Sequence, residues 1–113
     1  MTSTTQQREL PPLDGSLQFA ELIDFNLHKN PAHAMFVFAD DKQPTALTEI
    51  TFLEFGRAAH RAAYAVRPTR TGPEGEVVVL VANCDTLLHH AVVGGMSIAG
   101  LVVSIPLMVS ACN

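Results

Sequence analysis

Cys84, His89 and His90 sit close together in "CDTLLHH", and their side-chain types are those that bind metals or act as nucleophiles. On a helix, however, consecutive side chains point about 100° apart. His89 and His90 therefore cannot easily share one ion, and neither is followed at i+4 by a His or a carboxylate. Two histidines on a polar helix face are the simpler reading. His60 with Arg57 and Arg61 could attract a phosphate, yet no glycine-rich loop adjoins them to supply backbone amides, so they read as the wet face of a helix. "TGPEG", Thr71 to Gly75, has glycines at its ends but carries Pro73 and Glu74 and leads into a strand rather than a helix. It is a turn, not an anion cradle. His28 and His33 flank Asn30-Pro31 and are assigned to a solvated loop. The residues thus nominate no catalytic, cofactor-binding or metal-ligating side chain.

The elements that would carry any site form a short chain of 113 residues, enough for one small domain. Its residues are 48% hydrophobic and only 16% charged, against about a quarter charged in a typical self-contained domain. That deficit implies apolar faces covered by something beyond this sequence. The net charge is −4 and the seven Lys and Arg are scattered, which argues against nucleic acid as a partner. Cys84 and Cys112 fit neither a C-x-x-C nor a Cys/His metal spacing, and free thiols in a reducing, cytoplasmic compartment are expected. Residues 1–15 hold a single Arg and no apolar stretch, so they form a flexible leader rather than a secretory signal.

Ser16 is placed to cap a helix whose Phe19, Leu22, Ile23 and Leu27 share one face, ending at Asn30-Pro31. "AMFVFAD" and "TALTEI" predict two short strands joined by a polar turn. Thr51 and Glu54 match the T-x-x-E capping box, with Ile50 and Phe55 spaced for a hydrophobic staple. The helix they start carries Phe55, Ala58, Ala59, Ala62, Ala63 and Val66 on one side and stops at Pro68. "EVVVLVAN", Glu76 to Asn83, predicts a strand covered on both faces, because its apolar residues do not alternate. Asp85 caps a further helix, Gly100 terminates it, and "LVVSIP" forms a last strand closed by Pro106. Helix, two strands, helix, strand, helix, strand is an α/β order: a partial layered βαβ fold with right-handed crossovers.

From Thr86 to Asn113 there is no Asp, Glu, Lys or Arg, and Ala91 to Ala111 has the length of a membrane span. No Lys, Arg, Trp or Tyr flanks it, however, as membrane interfaces require. A crossover helix also explains its pattern: Leu88, Ala91, Val92, Gly95, Met96 and Ala99 lie on one side, Thr86, His90, Gly94 and Ser97 on the other. A membrane span is the disfavoured reading.

The strings "LIDFNLHKNPAHAMFVFAD", "ITFLEFGRAAHRAAYAVRP" and "GPEGEVVVLVANCDTLLHHAVVGGMSIAGLVVSIP" resemble the start of the adenylation domain of fungal NRPS-like carboxylic acid reductases. These are relatives of α-aminoadipate reductase in the acyl-activating, AMP-dependent synthetase and ligase superfamily. "ITFLEF", Ile50 to Phe55, is similar to the superfamily's T-Y-x-E-L, and "GGMSIAGLVVSIP", Gly94 to Pro106, to its L-x-A-G-x-x-x-x-P. The likeness runs from Leu17 to Pro106. It implies that 16–106 is the N-terminal portion of an AMP-binding, adenylate-forming domain. ATP and Mg would serve the parent domain, and phosphopantetheine and NADPH the full-length reductase. The phosphate-holding loop, the adenine and ribose motifs and the catalytic lysine lie later in the family's chain, and both matched motifs are scaffold. No cofactor is therefore expected in this piece, and the rest of the domain is expected in cis. Residues 107–113, "LMVSACN", depart from the family's polar continuation and form a divergent tail, for which a mis-spliced or frame-shifted gene model is one explanation.

The expectation is a scaffold fragment of an adenylate-forming enzyme, inactive and marginally folded alone. The alternative is a small non-enzymatic protein, either tail-anchored through 91–111 or docked on a partner's sheet through the free edge of its last strand.

Overall fold

The computed structural model describes residues 8–70, 72–81 and 83–105. The element order is α1 (Phe19–Lys29), β1 (Ala34–Ala39), β2 (Leu47–Thr51), α2 (Phe52–Val66), a 3-10 turn (Pro68–Arg70), β3 (Val77–Val79), α3 (Thr86–Ile98) and β4 (Val102–Ser104). This is the alternation read from sequence, a small mixed α/β arrangement with short sheets. The chain divides into two compact units, Met1–Ala58 and Ala59–Asn113, the boundary falling within α2.

In the first unit Ser16 is not the helix cap. Its amide donates instead to the Asp14 carboxylate at 3.0 Å, forming a local turn. The Ser16 side chain, and then that amide, hold the Asp14 carboxyl below its ordinary range. The cap has moved to Gln18, whose amide donates to Glu21 Oε1 at 3.1 Å. A carboxylate three residues into the helix can satisfy an orphan amide whatever side chain the cap carries. α1 ends where expected, at Asn30. Ile23 is buried, but Phe19 is 48% exposed, and the buried stripe continues through the polar Asn26 and Asn30.

β1 and β2 form the expected antiparallel hairpin, pairing Phe36 with Ile50 and Phe38 with Thr48, with an irregularity between Ala34 and Phe36. The capping box also forms as expected. The Thr51 amide donates to Glu54 Oε1 at 3.1 Å, and the Glu54 amide donates to Thr51 Oγ1 at 3.2 Å. Thr51→Ala should cost about 1 kcal/mol; a urea midpoint unchanged from wild type would show that this cap contributes nothing. The buried face of α2 within this unit is Phe52, Phe55 and Gly56, while Ala58 is exposed. Phe55 is 2% exposed, and its ring meets Phe36 at 5.9 Å. The stripe therefore sits slightly rotated from the alanine line expected, because the large Phe52 ring takes the inside position and turns Ala58 outward.

In the second unit Ala59 and Ala63 are buried, whereas Val66 is 39% exposed and Arg67 is buried. β3 and β4 pair in parallel, Val77 opposite Val102 and Val79 opposite Ser104. Around them Val102 N donates to Glu76 O at 2.9 Å and Leu80 N to Ser104 O at 3.0 Å. The expectation of a strand buried on both faces is not met. Val77, Val79 and Val81 are 65%, 62% and 70% exposed, and Val102 and Ile105 about half. Only the opposite face, through Val78, packs on the cluster of Ala63, Ala99 and Leu101 with Met96 and Ile98. Successive strand side chains point to opposite faces, so one covering layer buries only every second residue.

α3 begins at Asp85, whose Oδ1 accepts from Leu88 N at 2.8 Å. It ends in a Schellman motif: Leu101 N donates to Met96 O at 3.0 Å and Gly100 N to Ser97 O at 3.1 Å, with Gly100 at φ 80. Its buried side is Ala91, Gly94 and Gly95, so Gly94 lies inside rather than on the polar face assigned to it, and Leu88 is 53% exposed. The helix has 13 residues. That is about 20 Å, short of the roughly 30 Å of a bilayer core. Among the described residues no helix is long and apolar enough to cross a membrane. Pro106 and the tail 107–113 lie outside the described residues.

Candidate functional site

The side chains weighed above for chemistry are placed as follows. His90 Nδ1 lies 2.7 Å from the Thr86 carbonyl one turn back, so that nitrogen carries a proton toward it. The rings of His89 and His90 meet edge to face with centroids 6.0 Å apart, and Cys84 is an exposed free thiol. Among the described residues no group of three His, Cys, Asp or Glu could hold a metal ion. Arg57, His60 and Arg61 are exposed along α2, as the polar-face reading requires. His28 is not in a loop: it ends α1, with Nδ1 2.8 Å from the Asp24 carbonyl. Nor is His33 solvated, since it is half-buried and stacks on Phe52 at 5.8 Å.

The turn after α2 is where polar groups converge, and sequence reasoning did not single it out. Arg67 is 7% exposed. Its Nη1 donates to Ala99 O at 3.0 Å, and its Nη2 to Pro73 O at 2.7 Å and Glu76 Oε2 at 3.0 Å. One guanidinium thus ties the end of α2 to the turn before β3 and to the end of α3. Gly72 makes this approach possible: at φ 123, a Cβ would stand 2.6 Å from Nη2. The signal for Arg67 lay in its spacing, four residues beyond Ala63 on the buried stripe.

Thr69 and Arg70 both have positive φ, 60 and 52. Such non-glycine residues cost of order 1 kcal/mol or more each. Arg70 N donates to Arg67 O at 2.9 Å and its side chain pairs with Glu74 at 3.1 Å, which holds the turn. "TGPEG" behaves as the turn expected of it: Gly75 N donates to Gly100 O at 2.8 Å, and the Glu74 carboxylate occupies the space a Cβ on Gly100 would need. Beside the turn is an open cavity of about 280 Å³, its walls apolar at Ala63, Ile98 and Ala99, with His60, Tyr64 and Arg70 also lining it. Arg67 borders it, but its guanidinium hydrogen bonds are made to protein oxygens. The arrangement fastens a βαβ unit together.

No family model matches the chain, and no solved structure matches it. Adenylate-forming reductase Nps9 of Serpula lacrymans var. lacrymans is 47% identical to it over 95 residues, 84% of this chain. Adenylate-forming reductase Nps11 of the same fungus is 45% identical over 92 residues, 81% of this chain. Over this stretch the chain belongs with the adenylate-forming reductases. It spans 8% of the length of each of these relatives. The family resemblance carried by "ITFLEF" and "GGMSIAGLVVSIP" is thereby supported at the level of whole-segment identity. In the structure the two motifs are the capped start of α2 and the junction from α3 to β4. Thr51 and Glu54 of the first motif cap α2, and Gly100 of the second turns the chain from α3 into β4 of this adenylate-forming reductase segment.

Proposed function

We propose that this chain is the opening scaffold of the adenylation domain of an adenylate-forming, NRPS-like carboxylic acid reductase. In the parent enzyme a substrate carboxylate would attack the α-phosphate of Mg-ATP, forming acyl-adenylate and releasing pyrophosphate. The acyl group would pass to a phosphopantetheine thiol, with release of AMP, and be reduced by NADPH to the aldehyde. The phosphate-binding loop and the groups that stabilise the developing charge would come from sequence beyond this segment, and the chain alone would be inactive. The observation that carries this reading is the 47% identity over 84% of the chain to a protein of which the stretch is 8%.

The second unit's sheet supports it. Two parallel strands with Val77, Val79 and Val102 open on one face are the kind of sheet that is normally covered on both sides. The rest of the adenylation domain in cis is the cover proposed, in the cytoplasm and without nucleic acid or membrane as partner.

Carboxylate-dependent exchange of pyrophosphate into ATP tests the reading. The 113-residue chain should show none, the chain joined to the following sequence of such a reductase should show exchange, and that following sequence alone should lose it. Exchange by the short chain alone, or undiminished exchange without it, would overturn the proposal. The same fusion should suppress the binding of a hydrophobic dye that the isolated chain shows at its open valine face, whereas equal dye binding would mean that the face is not what the partner covers.

A further inference from the structure

The leader is not loose where the structure describes it. Asn30, 7% exposed at the end of α1, offers its side-chain amide to a single residue's backbone. Glu9 N donates to Asn30 Oδ1 at 2.7 Å, and Asn30 Nδ2 donates to Glu9 O at 2.8 Å. That is the paired bonding one strand residue gives another, supplied here by a side chain. The second proton of Nδ2 goes to Asn26 Oδ1 at 3.1 Å, and Asn26, also 7% exposed, donates to Leu22 O at 3.2 Å. Arg8 lies over the Phe52 ring with its guanidinium carbon 5.0 Å from the centroid, and its Nη2 is 3.4 Å from Asn26 Oδ1. Phe52 is itself buried, stacked on His33 and beside the hairpin. Farther along, Leu10 and Leu13 are 66% and 87% exposed, and the hydrogen bonds and ring contact described here come from Arg8 and Glu9.

We propose that Asn26, Asn30 and Phe52 form a docking groove for an extended segment, and that its occupant is the chain's own Arg8–Glu9 strap. The groove reads an arginine by ring stacking and the next residue by its backbone N–H and C=O. The folded unit accordingly includes Arg8 and Glu9, and removing 1–15 as a flexible leader would take away part of it. Detachment of the strap leaves Asn30 Oδ1 without its donor in a buried place, a state that costs more than two solvated partners would.

Amide hydrogen exchange in the full chain tests this. Glu9 N–H should exchange roughly tenfold or more slowly than its unstructured rate, while Leu13 N–H exchanges freely. Asn30→Ala should return Glu9 to the unstructured rate. Because that change also strips Asn26 of a partner and can open the whole unit, Arg8→Ala is the second variant; it removes the stacked cation and its long bond to Asn26 Oδ1, which keeps Asn30 Nδ2 as donor, and should lower Glu9 protection roughly threefold, with the α2 amides unchanged. Glu9 exchanging as fast as Leu13 in the unaltered chain, or with its protection untouched by Arg8→Ala, overturns the proposal.

Discussion

Arg67→Ala should abolish cooperative unfolding of the Ala59–Asn113 unit. The guanidinium is almost wholly removed from water and donates to the Ala99 and Pro73 carbonyls and the Glu76 carboxylate. Removing one partner from such a buried cluster costs about 3–5 kcal/mol, most of it the penalty of acceptors left without donors. Whole domains hold only about 5–15 kcal/mol, so a unit with a small alanine-rich core and an uncovered sheet face has little to spare. Lysine should not rescue it, since a single ammonium cannot present the two-pronged donor set that reaches both carbonyls. Glu76→Gln is the control: Glu76 is 53% exposed and its pair with Arg67 is partly screened, so the loss should stay near or below 1 kcal/mol. Urea unfolding followed by far-ultraviolet circular dichroism separates the cases. If Arg67→Ala and Glu76→Gln shift the transition equally, the carbonyl contacts contribute nothing and the tie is only a surface ion pair.

The element order was legible because the local signals were redundant. α2 has a capping box, a following apolar stripe and Pro68, and α3 has Asp85 at one end and Gly100 at the other, each signal acting over a few residues. What the sequence hid was long-range. Only its spacing, four residues beyond Ala63, sets Arg67, just past the end of α2, apart from the exposed Arg57 and Arg61 on that helix; it is buried because the turn at Pro73 and the end of α3 bring carbonyls to it. The Asn30 side chain is likewise bound to a residue 21 positions earlier. Five apolar residues from Val77 to Val81 predict burial on both faces, but covering depends on layers that only the Val78 face has here. Ser16 was a plausible cap by type, and lost to Gln18 because the carboxylate of Glu21 was better placed to accept the cap amide. For the site, resemblance to the reductases was readable from "ITFLEF" and "GGMSIAGLVVSIP", while the polar convergence at Arg67 was not.

Gly95→Ala should destabilise the chain although it replaces the poorest ordinary helix former with the best. The exchange is worth about 1 kcal/mol in favour of the helix. Against it, a Cβ on Gly95 would lie 2.5 Å from Ala62 Cβ and 2.7 Å from both Ala59 O and Ala63 N. Two of these atoms are backbone of α2, so relief requires the helices to separate, and overpacking of that kind costs typically 1–3 kcal/mol and sometimes more. Separation would also loosen the contacts that bury Ala59 and Ala63, adding to the loss, so a net fall of about 2 kcal/mol is expected. Gly56→Ala provides the matched comparison, because it gains the same helix propensity at a second buried glycine. There the Cβ would meet only the side chain of Leu27, at 2.8 Å from Cδ1 and 3.1 Å from Cβ. Rotation of that leucine relieves most of the clash, and the change should fall within about 1 kcal/mol of neutral. Thermal unfolding of the two variants beside wild type reads the difference directly. A small stripe on α2 is then required by close approach of α3 rather than by helix propensity, and equal melting temperatures for the two alanine variants would contradict that account.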